Sequence, residues 1–261
     1  MVFGKTLVIT GIASGIGART AELATALGAD VIGIDMKEPA VAGGNFIKGD
    51  LSSPAGIEAV VKQLPRRFDA LLNVAGISGK VGAEATLAIN FYGLRALSEA
   101  VAPRIREGGA VVNVASIAGY GWRANLERTK AMVGVEGFPD IKAVMEKNEV
   151  SNEIGYPLSK ELLLLWNQMA AHAPMFKNRG IRVNAVSPGP VETQILREFR
   201  SVLGDEKVDS DIARVGRAGT ASDIAPVILF LASDGARWIN GANIANDGGL
   251  EASINADVLG F

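Results

Sequence analysis

Short apolar runs rich in β-branched residues recur along the chain, separated by longer stretches whose apolar positions repeat at helical spacing. Residues 6–10, 31–34, 70–74, 110–114 and 181–186 lack the polar alternation of a half-exposed strand and read as strands buried on both faces. Between them, stretches near 15–28, 54–64, 84–104, 156–173 and 221–233 are amphipathic with a helical period. A further strand end is read before Asp50-Leu51. This alternation predicts βαβ units, hence a parallel sheet covered by helices on both faces. Right-handed crossovers make it an α/β, doubly wound fold. No repeat and no Pro/Ser-rich linker interrupts it, so one domain over residues 1–261 is expected.

Residues 117–155 break the rhythm. They hold Gly119, Gly121, Gly134, Gly137, Pro139 and the run Glu146-Lys147-Asn148-Glu149, without strand character, and read as an insertion. They also hold Tyr120, Trp122, Leu126, Met132, Val133, Phe138, Ile141, Val144 and Met145. That apolar set predicts a lid over a roomy apolar pocket, with a subunit interface or a solvated excursion as alternatives.

Composition removes whole classes of function. The 261 residues are 48% hydrophobic and 21% charged, an ordinary globular balance. A net charge of −2 offers no electrostatic footprint for nucleic acid or an anionic membrane. The absence of cysteine removes disulfides, thiolate nucleophiles and sulfur-ligated metals, so no metal is expected. A single histidine, His172, read as a helix-surface residue, builds neither a two-His metal site nor an obvious Ser-His-Asp triad. Trp166 and Trp238 read as core or interface packing, and Arg66-Arg67 as a solvated helix end. The start, Met1-Val2-Phe3-Gly4-Lys5, shows no signal-peptide pattern and no apolar window approaches a membrane span, so a cytoplasmic location is expected.

Candidate chemistry begins where the first strand ends. Thr10-Gly11-Ile12-Ala13-Ser14-Gly15-Ile16-Gly17 runs from strand into helix. Glycines there permit a tight turn and close approach of a pyrophosphate, and the helix N-terminus presents free N–H groups. Asp35, followed by Met36, closes the next strand, where a carboxylate accepts ribose hydroxyls and repels a 2′-phosphate, so NAD is favoured over NADP. Lys37 is the nearby cation that can blur this preference. Asp50, beside Leu51, reads either as an acceptor for the adenine amino group or as a helix cap. Asn73-Val74-Ala75-Gly76 ends a further strand at the carboxyl edge, where ligands of such sheets sit.

Tyr156 and Lys160, four residues apart on a predicted helix, fall about 40° apart around its axis and share a face. A neighbouring ammonium, with the positive nicotinamide of an oxidised cofactor, is expected to pull the Tyr156 phenol below its usual range and make it a general acid and base.

Taken together, Thr10-Gly-x-x-x-Gly-x-Gly17, Asp35, Asn73-x-Ala-Gly76, Asn90, Ser116, Tyr156-x-x-x-Lys160 and Pro188-Gly189 resemble the short-chain dehydrogenase/reductase superfamily end to end. The resemblance implies that Tyr156 is the catalytic acid/base and that Lys160 binds the nicotinamide ribose and tunes the phenol. It implies that Ser116 holds the substrate oxygen and that Asn90 positions a water in the proton relay. Pro188, Gly189, Val191 and Thr193 are implied contacts for the carboxamide, and a homodimer or homotetramer is implied. Ser116 and Tyr156 are separated by the insertion, an interval longer than the family usually shows. That insertion, Gly189-Pro190-Val191-Glu192-Thr193-Gln194-Ile195-Leu196 and Arg237-Trp238-Ile239-Asn240-Gly241 look most like bacterial coniferyl-alcohol dehydrogenases, then 3α-hydroxysteroid dehydrogenase/carbonyl reductases. The implied activity is oxidation of a bulky hydrophobic alcohol, or the reverse. A dinucleotide sensor without turnover and a dehydratase or epimerase are the rivals.

Overall fold

In each strand successive side chains point to opposite faces of the sheet, and here both faces are apolar, so each must be covered. The computed structural model describes residues 2–39 and 45–261. Among these, β1 Thr6–Thr10, β2 Asp30–Asp35, β3 Asn45–Lys48, β4 Phe68–Asn73, β5 Ile105–Val114, β6 Arg182–Pro188 and β7 Asn243–Asn246 form one sheet in the order β3-β2-β1-β4-β5-β6-β7. Every pairing is parallel. The helices are α1 Gly15–Ala26, α2 Pro54–Gln63, α3 Ala83–Leu87, α4 Leu94–Val101, α5 Leu126–Val133, α6 Ile141–Lys147, α7 Gly155–His172, α8 Pro174–Lys177, α9 Gln194–Leu203, α10 Asp205–Val215, α11 Ala221–Ala232 and α12 Leu250–Leu259. Among the described residues no helix is long and apolar enough to cross a membrane.

The two faces carry separate cores. Val8 of β1 and Val111 of β5 pack with Ile57, Val60, Leu97, Leu162 and Leu163 of α2, α4 and α7. Their neighbours Leu7, Ile9, Ala110 and Val112 turn the other way, onto Ala24 of α1 and Ile224, Ile228 and Leu231 of α11. The strand order reverses between β1 and β4, which opens a crevice at the carboxyl ends of these strands.

The stretch near 84–104 is not one helix. Between α3 and α4 the backbone widens into a π-helical turn, Ala88–Gly93, holding Asn90 in the interior. Besides α5 and α6 of the insertion, the helices outside the stretches read in the sequence are the short α8, α9 and α10 with their charge-rich periods, and α12 after the last strand.

The insertion contradicts its predicted role as a lid. Met132, Val133, Ile141 and Val144 are buried in the core shared with α4 and α7, and Trp122, Leu126, Phe138 and Met145 pack against it. Arg95 of α4 explains the docking. Its guanidinium, 3% exposed, donates to the carbonyls of Val133 at 2.9 Å and Val135 at 2.7 Å, and to that of Gly137. It also lies 5.3 Å from the ring centres of Phe91 and Tyr92. Replacing Arg95 by Met leaves buried carbonyls without donors and is expected to destabilise the protein by about 2 kcal/mol, read by chemical denaturation; an unchanged midpoint refutes this account of the docking. Trp238, read as core or interface packing, is 98% exposed in the single chain and is not a core residue. Trp166 is buried against Phe176, and His172 is exposed at the end of α7.

Candidate active site

The crevice is a cleft of about 380 Å³ whose walls are the carboxyl ends of β1, β2, β4, β5 and β6 and the first turns of α1, α7 and α9. At one end the β1–α1 turn is packed to a tolerance that only glycine meets. A Cβ on Gly17 would sit 2.0 Å from the Gly11 carbonyl oxygen, and one on Gly11, whose φ is +79°, would sit 2.7 Å from Ala75 Cα. Thr10 Oγ1 accepts the N–H groups of Val74 and Ala75, each at 3.0 Å, and locks this turn to the end of β4. Ser14 precedes α1 without making a side-chain cap bond, and no acid occupies the first turn. The positive end of α1 therefore opens onto the cleft beside Ser14, Gly15, Ile16 and Gly17.

Asp35 caps no helix. One carboxylate oxygen accepts the N–H of Ala13 at 3.0 Å and the other that of Lys37 at 2.9 Å, so two loops fix its orientation at the cleft wall. Each oxygen keeps a lone pair for a further donor. Asp50 lines the same end with Met36 and Leu51, and the cap of α2 is Ser53, whose hydroxyl accepts the N–H of Gly56 at 3.2 Å. The helix-cap reading of Asp50 therefore fails. An uncapped helix end, a glycine cradle and a fixed carboxylate together fit a dinucleotide: the chain's own residues answer a pyrophosphate and a ribose.

At the other end stand Ser116, Tyr156 and Lys160. Ser116 follows β5, and its hydroxyl accepts the N–H of Ala118 at 3.1 Å, which sets its side chain. Lys160, 4% exposed, donates from Nζ to the Val114 carbonyl at 2.9 Å and lies 5.7 Å from the centre of the Tyr156 ring. Burial pushes the Tyr156 phenol up to about 12, against a hydrogen bond with Ser116 that lowers it. Burial also pushes the Lys160 ammonium down to about 8. The expected lowering of the phenol is thus reversed in the protein alone, because desolvation outweighs the neighbouring hydroxyl.

Ala75, Gly76, Pro188, Gly189, Val191 and Thr193 line the cleft between these ends. The Thr193 hydroxyl donates to the Val191 carbonyl at 3.2 Å, and its methyl would lie 3.3 Å from a Cβ on Gly15, so the walls approach each other there. Two sequence candidates do not line the cleft. Asn73, 2% exposed, donates to Ser98 Oγ and Asn113 Oδ1, both at 2.9 Å, and ties β4 to α4 and β5. Asn90 lies behind the wall: it accepts the Ile77 N–H and donates to the Ile77 carbonyl, both at 2.9 Å, and donates to Ser159 Oγ at 3.2 Å. A Cβ on Gly76 would be 3.3 Å from Asn90 Oδ1 and 3.8 Å from Lys160 Nζ, so both reach the same strip of backbone.

The sequence reading missed the wall formed by α9. Gln194, Ile195, Leu196, Glu198 and Phe199 line the cleft, and the Phe199 ring meets that of Tyr156 edge-on at 4.6 Å. No residue of 117–155 lines it, so the covering expected from the insertion comes from α9. The apolar spacing of Ile195, Leu196 and Phe199 directly after Pro188-Gly189 was the available signal.

Comparison with known proteins places this geometry. Residues 5–126 match the family model described as short chain dehydrogenase, and residues 140–251 match that described as Enoyl-(Acyl carrier protein) reductase. A coniferyl-alcohol dehydrogenase from Pseudomonas sp. (strain HR199 / DSM 7063) is 41% identical over 95% of this chain and 97% of its own. The chain belongs to the short-chain dehydrogenase family. Within the short-chain dehydrogenases, a 3-alpha-hydroxysteroid dehydrogenase/carbonyl reductase from Comamonas testosteroni is 28% identical over 94% of this chain and 96% of its own. The 3-alpha-hydroxysteroid dehydrogenase of Pseudomonas sp. B-0831, solved with NADH, superposes with a TM-score of 0.83 at 30% identity, covering 96% of this chain and 98% of that one. A short chain dehydrogenase from Burkholderia cenocepacia J2315, solved with NADP, gives a TM-score of 0.72 at 25% identity, covering 96% of this chain and 99% of that one. The chain is thus an oxidoreductase of the short-chain dehydrogenase family, and relatives bind either dinucleotide.

Proposed function

We propose that the protein, working as one domain over residues 1–261, is an NAD-dependent dehydrogenase that interconverts a bulky hydrophobic alcohol with its aldehyde or ketone. The observation that carries this reading is the convergence of Ser116, Tyr156 and Lys160 on the end of the cleft walled by Ile77, Ile89, Ile195, Leu196 and Phe199. The likeness to a coniferyl-alcohol dehydrogenase supports an aromatic allylic alcohol as substrate. The superposition on a 3-alpha-hydroxysteroid dehydrogenase supports a hydroxysteroid as the second reading.

Gly11, Ser14, Gly15, Ile16 and Gly17 would take the pyrophosphate on the open end of α1, Asp35 with Met36 the adenosine ribose, and Asp50 with Leu51 the adenine. Ala75, Gly76, Pro188, Gly189, Val191 and Thr193 would hold the nicotinamide half, together with Lys160. When bound, the dinucleotide supplies or accepts the hydride. The chain's own residues do the rest. Ser116 donates to the substrate oxygen, and Tyr156 Oη, beside it, takes the hydroxyl proton in oxidation or returns it in reduction. Lys160, anchored on the Val114 carbonyl, stabilises the phenolate that this transfer creates. Asn90 holds the 76–77 backbone against Lys160, where a water carrying the proton outward is expected. Phe199 covers Tyr156 and keeps bulk water from the transfer.

NADH formation across an aromatic allylic alcohol, a 3-hydroxysteroid, a short aliphatic alcohol and a sugar tests the reading. The first two should be used best; tight NADH binding with no turnover of any alcohol overturns it in favour of a sensor. The wild type should prefer NAD to NADP, and Asp35→Ala should narrow the kcat/KM ratio about tenfold, the worth of about 1.4 kcal/mol of lost repulsion. Equal efficiency of the two dinucleotides with the wild type refutes the NAD assignment.

A further inference from the structure

The proposed chemistry joins side chains from two elements: Ser116 follows β5, while Tyr156 and Lys160 stand on α7. The contacts that fix one against the other lie behind the cleft wall. From Ser116 the chain turns into a 3₁₀ helix, Ile117–Arg123, packed along α7. The Ser116 carbonyl accepts the Gly119 N–H at 3.0 Å, and Gly119 is so close to α7 that a Cβ on it would sit 2.8 Å from the Lys160 carbonyl oxygen. A Cβ on Gly121 would meet Glu161 Oε1, on the next residue of α7, at 3.2 Å. The same oxygen catches the end of the turn by accepting Asn125 Nδ2 at 2.8 Å.

Glu161 occupies this place at a cost. It is 5% exposed, and its second oxygen, Oε2, is enclosed with no hydrogen-bond donor among the described residues. Burial raises its carboxyl above the ordinary range, against the Asn125 amide and the charge of Arg128 on α5, which lower it. Asn125 forgoes a bond as well. It stands at the start of α5, where an asparagine side chain ordinarily caps the first turn, yet it makes no cap bond and turns to Glu161 instead. An apolar residue in place of Glu161 would fill the same space without the burial penalty. We propose that Glu161 is a positioning residue: through Asn125 it clamps the turn that follows Ser116 onto α7, and so holds Ser116 in register with Tyr156 and Lys160. The inference rests on those three residues marking the reacting end. It adds the device that keeps the two elements carrying them at a fixed separation.

The test is kcat and KM with NAD for cinnamyl alcohol and for androsterone, together with NADH affinity, on the wild type and five variants. Glu161→Leu removes the acceptor and should lower kcat about tenfold or more, while KM for NAD and the affinity for NADH stay within about twofold. Glu161→Gln keeps an oxygen for Asn125 and should hold kcat within about threefold of wild type. Asn125→Ala should match Glu161→Leu, and the two combined should be no slower than either, because all three lose the same bond. Arg95→Met loosens the same insertion at its other docking point and should leave kcat within about twofold, which separates the clamp from general loosening. A kcat for Glu161→Leu within about twofold of wild type overturns the inference. An equal loss in Arg95→Met, or the same loss in Glu161→Gln as in Glu161→Leu, overturns it too. If Glu161→Leu does not fold, unchanged kcat in Asn125→Ala overturns it equally. If the wild type binds NADH but oxidises neither alcohol, the assignment of Tyr156 falls and this one with it, an outcome distinct from an active wild type matched by its variants.

Discussion

Tyr156→Phe is expected to lower kcat by about 10² to 10⁴, the range for loss of a positioned general acid/base, while NADH binds within a few-fold of wild type. The substitution removes one oxygen and little else. Phe keeps a ring to meet Phe199 at the 4.6 Å edge-on contact, so the cover formed by α9 stays in place. The Ser116 hydroxyl keeps its backbone donor, the N–H of Ala118, and so keeps its orientation. The cofactor end of the cleft, with Asp35 held by Ala13 and Lys37, does not touch the ring. Burial already holds the phenol near 12, so its departure also removes no charge at neutral pH, and folding stability should change little. Single-turnover oxidation with bound NAD measures the chemical step directly. Near-normal turnover would place the proton transfer elsewhere and refute the assignment.

The sheet was legible because its strands are buried on both sides: β1 occupies the residues read from the apolar run at 6–10. Other strands grew at their ends. β5 begins at Ile105, which pairs with Phe68, rather than at 110; its polar and glycine-rich stretch Arg106-Glu107-Gly108-Gly109 lies where the register is interrupted before pairing resumes at Ala110, and carries no apolar strand signal. The glycine turn and Asp35 were legible because their chemistry is local, a strand end followed by a helix start. The position of Asn73 misled for the opposite reason. It stands at a strand end as a ligand residue would, but its amide turns inward to Ser98 and Asn113, partners 25 and 40 residues away in sequence. The insertion misled in the same way. Its aromatic and Met residues satisfy a lid and a core equally well, and Tyr92 and Arg95, whose carbonyl partners lie about 40 positions downstream, hold it to the core. What the sequence conceals here is the direction in which a side chain points once a distant element has docked.

The pKa shifts follow the same logic, since both depend on burial and not on the four-residue spacing that first drew attention to the pair. Lys160 carries the larger consequence. Its folded pKa of about 8 lies below the ordinary 10.5 because the ammonium is taken out of water, where it donates to the Val114 carbonyl. Between those two values the unfolded chain binds a proton that the folded protein does not, so stability rises with pH across that window. It falls as pH drops through about 8, below which the full penalty for the buried charge is present. A displacement of about 2.5 units corresponds to roughly 3 kcal/mol.

Lys160→Met removes the charge while keeping the bulk, so the stability of the variant relative to wild type should rise by about 3 kcal/mol as pH falls from about 10.5 to below 8. The lost bond to Val114 lowers the variant by a constant amount at every pH and does not enter this difference. Tyr156, held near 12, stays neutral throughout the window in both proteins. Urea unfolding at a series of pH values reads the effect, and a difference independent of pH would show that the ammonium is not desolvated as the geometry requires. Over the same range the variant should lose about 10²-fold or more in turnover, because a phenolate on Tyr156 is then left with the neutral Ser116 hydroxyl and without the neighbouring ammonium. A gain in stability at neutral pH coupled to a loss of catalysis identifies a charge retained in the interior for its chemistry rather than for folding.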